Sequence, residues 1–253
     1  MNDPIAQAAL DRAIDDDAGL LLLYQPIHDA RSGEIRAVEA LLRQRRSDGV
    51  IREASIITKA AEKSGGAELF ALDSMLVRRA YTQASHWPVR LHINLSPREF
   101  EGDVFERLST LITSCGVDTG KVTLEITETS YIKDPERTMR MLDAIKKLGV
   151  ELWLDDFGTG HSSLTHLQHF PVDGIKLSGD FIRPLPDDER CAAITRALIG
   201  LAHDVGVRVV AEEVENRAQL EFLTDLRCEW IQGFLFSKPM KAAELERLFT
   251  PPS

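Results

Sequence analysis

Short apolar runs recur along the chain, each rich in Val, Ile, Leu and aromatic residues, and most are followed by a stretch with helical spacing. Runs of this length and make-up predict strands at Leu20–Ile27, Ile35–Leu42, Val89–Leu95, Val122–Thr127, Val150–Asp155, Val172–Leu177, Val207–Glu212 and Trp230–Phe236. The segments between them predict helices at Ala54–Lys63, Ala67–Ala84, Val104–Ser114, Pro135–Lys147, Glu189–Val205 and Ala218–Leu226. Asp134-Pro135 reads as a cap followed by a first helical residue. Lys146-Lys147 followed by Gly149 reads as a helix stop. Eight strands with interleaved helices predict an α/β fold, a (β/α)8 TIM-type barrel. Seven residues around Ser32-Gly33 separate the first two strands, enough for a hairpin but not for a crossover. Those two strands are therefore expected to be antiparallel, which makes the barrel a modified one. An open doubly wound sheet is the alternative, but no glycine-rich phosphate loop follows the first strand.

Composition narrows the class. The chain has 253 residues, 43% hydrophobic and 28% charged, as in an ordinary globular protein. One barrel accounts for that length, so a single domain over residues 1–253 is expected. It divides into a leading helix and turn (1–19), the barrel (20–240) and a C-terminal helix and tail (241–253). The stretch near the start that lacks charge or His, Ala18 to Ile27, is too short to span a bilayer. No membrane insertion and no secretory leader are expected. A net charge of −10 argues against gripping a nucleic-acid polymer, though a small phosphorylated ligand needs only a local site. Three widely spaced cysteines, Cys115, Cys191 and Cys228, suit a reduced, cytoplasmic setting.

Charged side chains inside a barrel are costly unless they serve a site. Nearly every predicted strand carries a polar residue near its C-terminal end: Glu39, Asn94, Glu125, Asp155-Asp156, Lys176, Glu212 and Gln232. Strand alternation puts Glu125 and Thr127 on the face opposite Leu124 and Ile126. Barrel active sites sit at this rim, so the series reads as a catalytic ring. Five carboxylates cannot all ionise within a few ångströms without counter-charge, and one lysine is not enough. Either some stay protonated or divalent cations bind. Carboxylates plus an amide oxygen suit Mg2+ or Mn2+ better than zinc. The adjacent aspartates can serve two ions, with Asp155 bridging, as in phosphoryl-transfer sites. An enolase-like or glycosidase site can also use an acidic rim, so the residues alone leave the reaction open.

At these residues the chain resembles the EAL-domain family, the phosphodiesterases of bacterial cyclic di-GMP signalling. The resemblance runs from about Leu20 to Met240. It rests on Tyr24-Gln25-Pro26-Ile27, Glu39-Ala40-Leu41-Leu42-Arg43, Asn94-Leu95-Ser96, Glu125-Ile126-Thr127-Glu128 and Asp155-Asp156-Phe157-Gly158-Thr159-Gly160. It continues through Lys176, Ala211-Glu212 with Val214-Glu215, Gln232-Gly233-Phe234 and Lys238-Pro239. The resemblance implies two cation sites. Glu39, Asn94, Glu125 and Asp155 would hold one Mg2+ or Mn2+, and Asp155, Asp156 and Glu212 a second. It implies further that Glu39, Asp156, Lys176 and Glu212 form the catalytic set. A water would attack phosphorus to give linear pGpG, with Lys176 steering or deprotonating it. Gln25, Leu41, Arg43, Gln232 and Pro239 would contact the dinucleotide. Glu128 and Glu215 would support the loop after Asp156, which Gly158, Gly160, Ser162 and Ser163 would keep supple. Ca2+ would bind without turnover, and the domain would pair as a homodimer. Any upstream sensory or cyclase domain lies outside this chain.

Several positions depart from the family pattern. Gln44 stands where a Trp is usual, Ser178 where an Asp is usual, Glu213 where a Gly is usual, and His161 where a Tyr is usual. Ser178 removes a supporting carboxylate unless Asp180 compensates, and Glu213 needs room that glycine does not. These changes keep open a second reading, a domain that binds cyclic di-GMP without cleaving it. A third, an unrelated acidic-rim barrel acting on sugars or carboxylic acids, has the ordered motifs against it. The seven histidines show no paired metal spacing, His166 and His169 read as surface or packing residues, and Trp87, Trp153 and Trp230 read as packing. Ser162 and Ser163 lack a nucleophile-elbow setting.

Overall fold

The first two apolar runs alternate so that each strand turns one face inward, and the hairpin they make begins the barrel. In a computed structural model of the chain, β1 (Leu20–Asp29) pairs antiparallel with β2 (Ile35–Arg45), with Gln25 opposite Glu39 and Leu23 opposite Leu41. β2 runs on past Leu42 because Arg43 to Arg45 pair with a further strand, Ile51–Glu53, and β1 runs on to Asp29 because the turn is well supplied with bonds. The Asp29 carboxylate accepts from the N–H groups of Arg31 (3.1 Å) and Ser32 (2.9 Å), and the Gly33 N–H donates to the Asp29 carbonyl (2.9 Å). Gly33 takes a φ of 71°, which costs glycine nothing. The structure describes residues 19–45, 49–53, 77–95, 109–110, 112, 118–127, 135–159 and 163–249.

The remaining strands are β3 (Ile51–Glu53), β4 (Arg90–Leu95), β5 (Val122–Thr127), β6 (Glu151–Phe157), β7 (Gly174–Leu177), β8 (Arg208–Ala211) and β9 (Trp230–Ile231). From β2 through β4 to β9 the neighbours run parallel in chain order. The ring closes where β1 lies antiparallel between β2 and β9. This is the expected barrel of eight strands, with β3 hung on β2 outside the ring.

The helices are α1 (Pro135–Lys147), α2 (Ser163–His169), α3 (Gly179–Ile182), α4 (Glu189–Asp204), α5 (Arg217–Asp225) and α6 (Ala242–Phe249), and residues 77–84 are also helical. Helix α1 has its expected bounds. Asp188 opens α4 by accepting from the Cys191 N–H at 2.8 Å, and Asn216 with Gln219 forms a capping box at α5. The helix expected at Ala54–Lys63 lies outside the described residues, as does the first part of Ala67–Ala84. Of Val104–Ser114 only 109, 110 and 112 are described, and they are helical.

Three expectations are corrected. Trp230–Phe236 is a strand only over Trp230–Ile231. A Cβ on Gly233 would stand 2.1 Å from the Val214 carbonyl oxygen, and this close approach turns the chain before Phe234. Ser163 opens helix α2 rather than belonging to a loop. Helices α2 and α3 and strand β3 add to the expected set, each too short to show a period.

Strand residues facing outward pack beneath the helices, Leu124 and Ile126 with Leu142 and Ile145 on one side, Ile175 and Val209 with Ile199 and Leu223 on another. Inside the barrel, Ile27, Ala37, Trp153 and Val210 form a plug against Trp230. Gly174 makes room for that plug, since a Cβ there would sit 2.6 Å from the Trp153 ring. No described helix is long and apolar enough to cross a membrane.

Candidate active site

Period-two alternation on eight inclined strands sends one set of side chains to the barrel axis, and above the apolar plug that set is polar. Lys176, in the middle of β7, reaches the axis with 1% of its side chain exposed. Its Nζ stands 2.8 Å from Glu212 Oε1, 3.1 Å from Glu39 Oε2, 3.1 Å from Glu125 Oε2 and 3.3 Å from Asp155 Oδ1. Four carboxylates, from β2, β5, β6 and the segment after β8, thus converge on one ammonium. Their exposure grades from 0% at Glu125 to 19% at Glu212, from the floor of a cup to its lip.

Amides complete the cup. Gln232 Nε2 donates to Glu39 Oε2 at 2.7 Å and to Gln25 Oε1 at 3.3 Å, and Asn94 Nδ2 donates to Glu39 Oε1 at 2.8 Å. Gln25 Nε2 donates to the Ser237 carbonyl at 3.3 Å. This brings the segment of Pro239 beside β1, where Met240 and Tyr24 exchange backbone bonds at 2.7 and 2.9 Å. Leu41 and Arg43 follow Glu39 on the same face of β2, both half-buried, and the Arg43 guanidinium donates to the Leu42 carbonyl at 3.0 Å.

Electrostatics sorts the acids. Burial alone would raise Glu39, but the Lys176 charge and the bonds from Gln232 and Asn94 outweigh it and hold its carboxyl below the ordinary value. Glu125 is pushed well up by burial, and the charges of Glu39, Asp155 and Glu212 add to this against Lys176. Glu212 is pushed up to about 8, first by burial, with Lys176 opposing and Asp155 adding. Burial, then Asp155, raises Asp156, while the charge of Lys176 and a bond from Ser178 oppose. Burial would lower Lys176, but its ring of acids outweighs this and raises it well above the usual lysine value.

Most residues of the expected ring meet at this point. Glu39, Asn94, Glu125, Asp155, Lys176, Glu212, Gln25 and Gln232 form one cluster. Asp156 is exposed beside it, with a left-handed φ of 52°. Glu215 is exposed and lends charge to Arg183 rather than joining the cluster. Glu128, Gly160, His161 and Ser162 lie outside the described residues. Asp180 does not replace the usual aspartate, because it pairs with Arg183, which also binds Glu213. Ser178 supports Asp156 directly instead. Glu213 adopts a φ of 54°, the conformation for which glycine is suited, and its carboxylate fills the space above Gly179.

One further residue joins the cluster from below. His92 lies buried with Nδ1 2.7 Å from Glu125 Oε1. It stands two residues before Asn94 on β4, so the alternation that finds Asn94 also points His92 inward.

The donors suit a hard cation. They are all oxygens, the acids outnumber the ammonium, and burial first, then neighbouring acids, raises Glu125 and Glu212. The buried Asp155 Oδ1 makes an ion pair but no hydrogen bond, and Gln232 Oε1 is buried with no hydrogen-bond partner. Among the described residues no three His, Cys, Asp or Glu side chains already stand as a ready-made metal cage. The point on which the acids converge is held by Nζ of Lys176.

A family model described as the EAL domain matches residues 7–239. An uncharacterized signaling protein of Caulobacter vibrioides is 38% identical over 88% of this chain and 28% of its own length. A cyclic di-GMP phosphodiesterase of Pseudomonas aeruginosa is 34% identical over 97% of this chain and 44% of its own length. The chain therefore spans less than half of either relative. The solved structure of the PaMucR phosphodiesterase in complex with c-di-GMP superposes with a TM-score of 0.86 at 31% identity, covering 95% of this chain and 99% of that one.

Proposed function

This chain belongs to the EAL-domain family, and on that footing we propose that it hydrolyses cyclic di-GMP to linear pGpG in bacterial signalling. The observation that carries the proposal is the convergence of Glu39, Glu125, Asp155 and Glu212 on Lys176 at the barrel mouth. Phosphodiesterases of this family are metal-dependent. Glu39, Asn94, Glu125 and Asp155 would hold one Mg2+ or Mn2+, and Asp155, Asp156 and Glu212 a second. Bound there, such ions supply Lewis-acid polarisation of the phosphodiester and an acidified water.

The chain's own groups do the rest. Lys176 would steer or deprotonate the attacking water. Glu212, at the lip, would hold the second cation beside Asp155 and lies 2.8 Å from the Lys176 ammonium. Gln232, itself held by Gln25, fixes Glu39 from one side and Asn94 from the other. Leu41, Arg43 and Pro239 line the approach, and the Arg43 guanidinium offers a fork that fits phosphate. Ca2+ would bind the same oxygens without supporting turnover. The domain would act as a homodimer in the cytoplasm.

Ser178 and Glu213 favour a competing reading, a receptor that binds the dinucleotide without cleaving it. Incubation with cyclic di-GMP and Mg2+, with product separated by chromatography, decides between them. The proposal expects pGpG from wild type and none from Glu39→Ala. Equal background turnover in both, with binding retained in Ca2+, would establish the receptor instead.

A further inference from the structure

Below the carboxylate cup lies a buried histidine that the proposed reaction does not use. His92 and Glu125 are both fully buried, with Nδ1 of one 2.7 Å from Oε1 of the other. That contact occupies one oxygen of Glu125 and leaves Oε2 aimed at Lys176, 3.1 Å away. We propose that His92 is a positioning residue for the hydrolysis: it grips one oxygen of Glu125 from beneath so that the other is presented, without freedom to turn, to the cation site above. The inference rests on the reading of that site given under Proposed function.

The imidazole is itself held. Its ring meets Trp153 edge-on at 5.3 Å and lies 6.4 Å from Trp230, and the two indoles stack on each other at 5.3 Å and 11°. Arg208 lies over both indoles at 5.2 and 5.0 Å, and Glu151 ties Arg208 (2.6 Å) to the Trp153 N–H (3.1 Å). Gly174 leaves the space that Trp153 needs. A rigid aromatic column therefore runs up the barrel axis to His92, and through it to Glu125. A single proton must lie between Nδ1 and Oε1 at this distance. On Nδ1 it leaves Glu125 its charge for a cation and leaves Nε2, which is buried and has no hydrogen-bond partner, as a bare lone pair. Groups that orient a metal-binding side chain in this way typically govern affinity by about 10- to 100-fold when removed.

A plain packing role makes a different prediction, and two substitutions of similar size separate the two. His92→Asn and His92→Leu both lose the ring, but the Asn amide nitrogen falls where Nδ1 was and keeps a donor for Glu125. Each protein is titrated with MnCl2 alone in a calorimeter, and each is melted in EDTA. Positioning expects the Leu variant to bind Mn2+ about tenfold or more weakly and the Asn variant to stay within about threefold of wild type, with similar melting temperatures for the two variants. Equal losses in Asn and Leu, or no loss in either, would overturn it. Nitrogen-15 spectra of wild type with Mg2+ need no variant: a proton on Nδ1 of His92 supports the inference, and one on Nε2 overturns it. Wild type that binds no Mn2+ would remove the reading of the site itself, a result distinct from any difference between the variants.

Discussion

At Lys176 one ammonium faces four carboxylates, and the arrangement is tolerable without metal only if some of those acids keep their protons. Glu212 carries the consequence for stability. Its folded-state pKa is about 8, against 4.5 ordinarily, so the folded protein binds a proton that the unfolded chain releases. The stability linked to that proton is full below about pH 4.5 and is lost as pH rises through 8, and Glu125 acts in the same direction. In EDTA, stability measured by urea unfolding should therefore fall by about 1 kcal/mol between pH 7 and 8.5, above the range in which histidines titrate. Glu212→Gln should flatten that slope. With saturating Mn2+ the slope should reverse, because divalent ions bind ionised carboxylates. Lys176→Met should cost about 3 kcal/mol in EDTA, the usual result of stripping one partner from a buried ion cluster. Part of that loss should return with Mn2+, as read from the urea midpoint. An unchanged midpoint would mean that the acids do not lean on this lysine.

At the scale of elements, glycines decide where regular structure can pack. Gly174→Ala would drive a methyl group into the Trp153 ring, 2.6 Å away, and should destabilise by about 1–3 kcal/mol in urea unfolding. Most elements were legible because their signals are local. Helix α1 shows its Pro135 start and its Gly149 stop, where φ is 89°, and β5 shows strict alternation. The end of β9 was illegible because it is set by the approach of Gly233 to Val214, a contact between segments that no local pattern shows. Helices α2 and α3 span 7 and 4 residues, too few for a period to emerge. The site was legible to the extent that parity reveals it: Glu39, Asn94, Glu125 and Lys176 all follow from alternation. The upward shift of Glu125 and Glu212 was not, because it depends on how deeply they are buried and on how many acids meet at one point. His92 is hard to single out because a lone histidine in an apolar run looks like packing until its partner is known.

For the whole molecule, closure of the ring is what turns a sequence pattern into a site. Because β1 lies antiparallel between β2 and β9, Gln25 and Gln232 meet at the seam and both belong to the network of Glu39, although they stand at opposite ends of the chain. Acids from β2, β5, β6 and the segment after β8 reach the same axis only because the parallel strands between them are complete. The expected homodimer is checked by light scattering across a range of concentrations: a mass near twice that of the chain supports it, and a single-chain mass throughout contradicts it. The central claim is that this acidic mouth exists to hold divalent cations. Diffraction from crystals grown with MnCl2, recorded at the manganese absorption edge, tests it most directly. The account predicts two anomalous peaks bounded by Glu39, Asn94, Glu125, Asp155 and Asp156, with Lys176 displaced from their midst. A mouth without anomalous signal, in which Lys176 still lies within 3.3 Å of all four carboxylates, would contradict it.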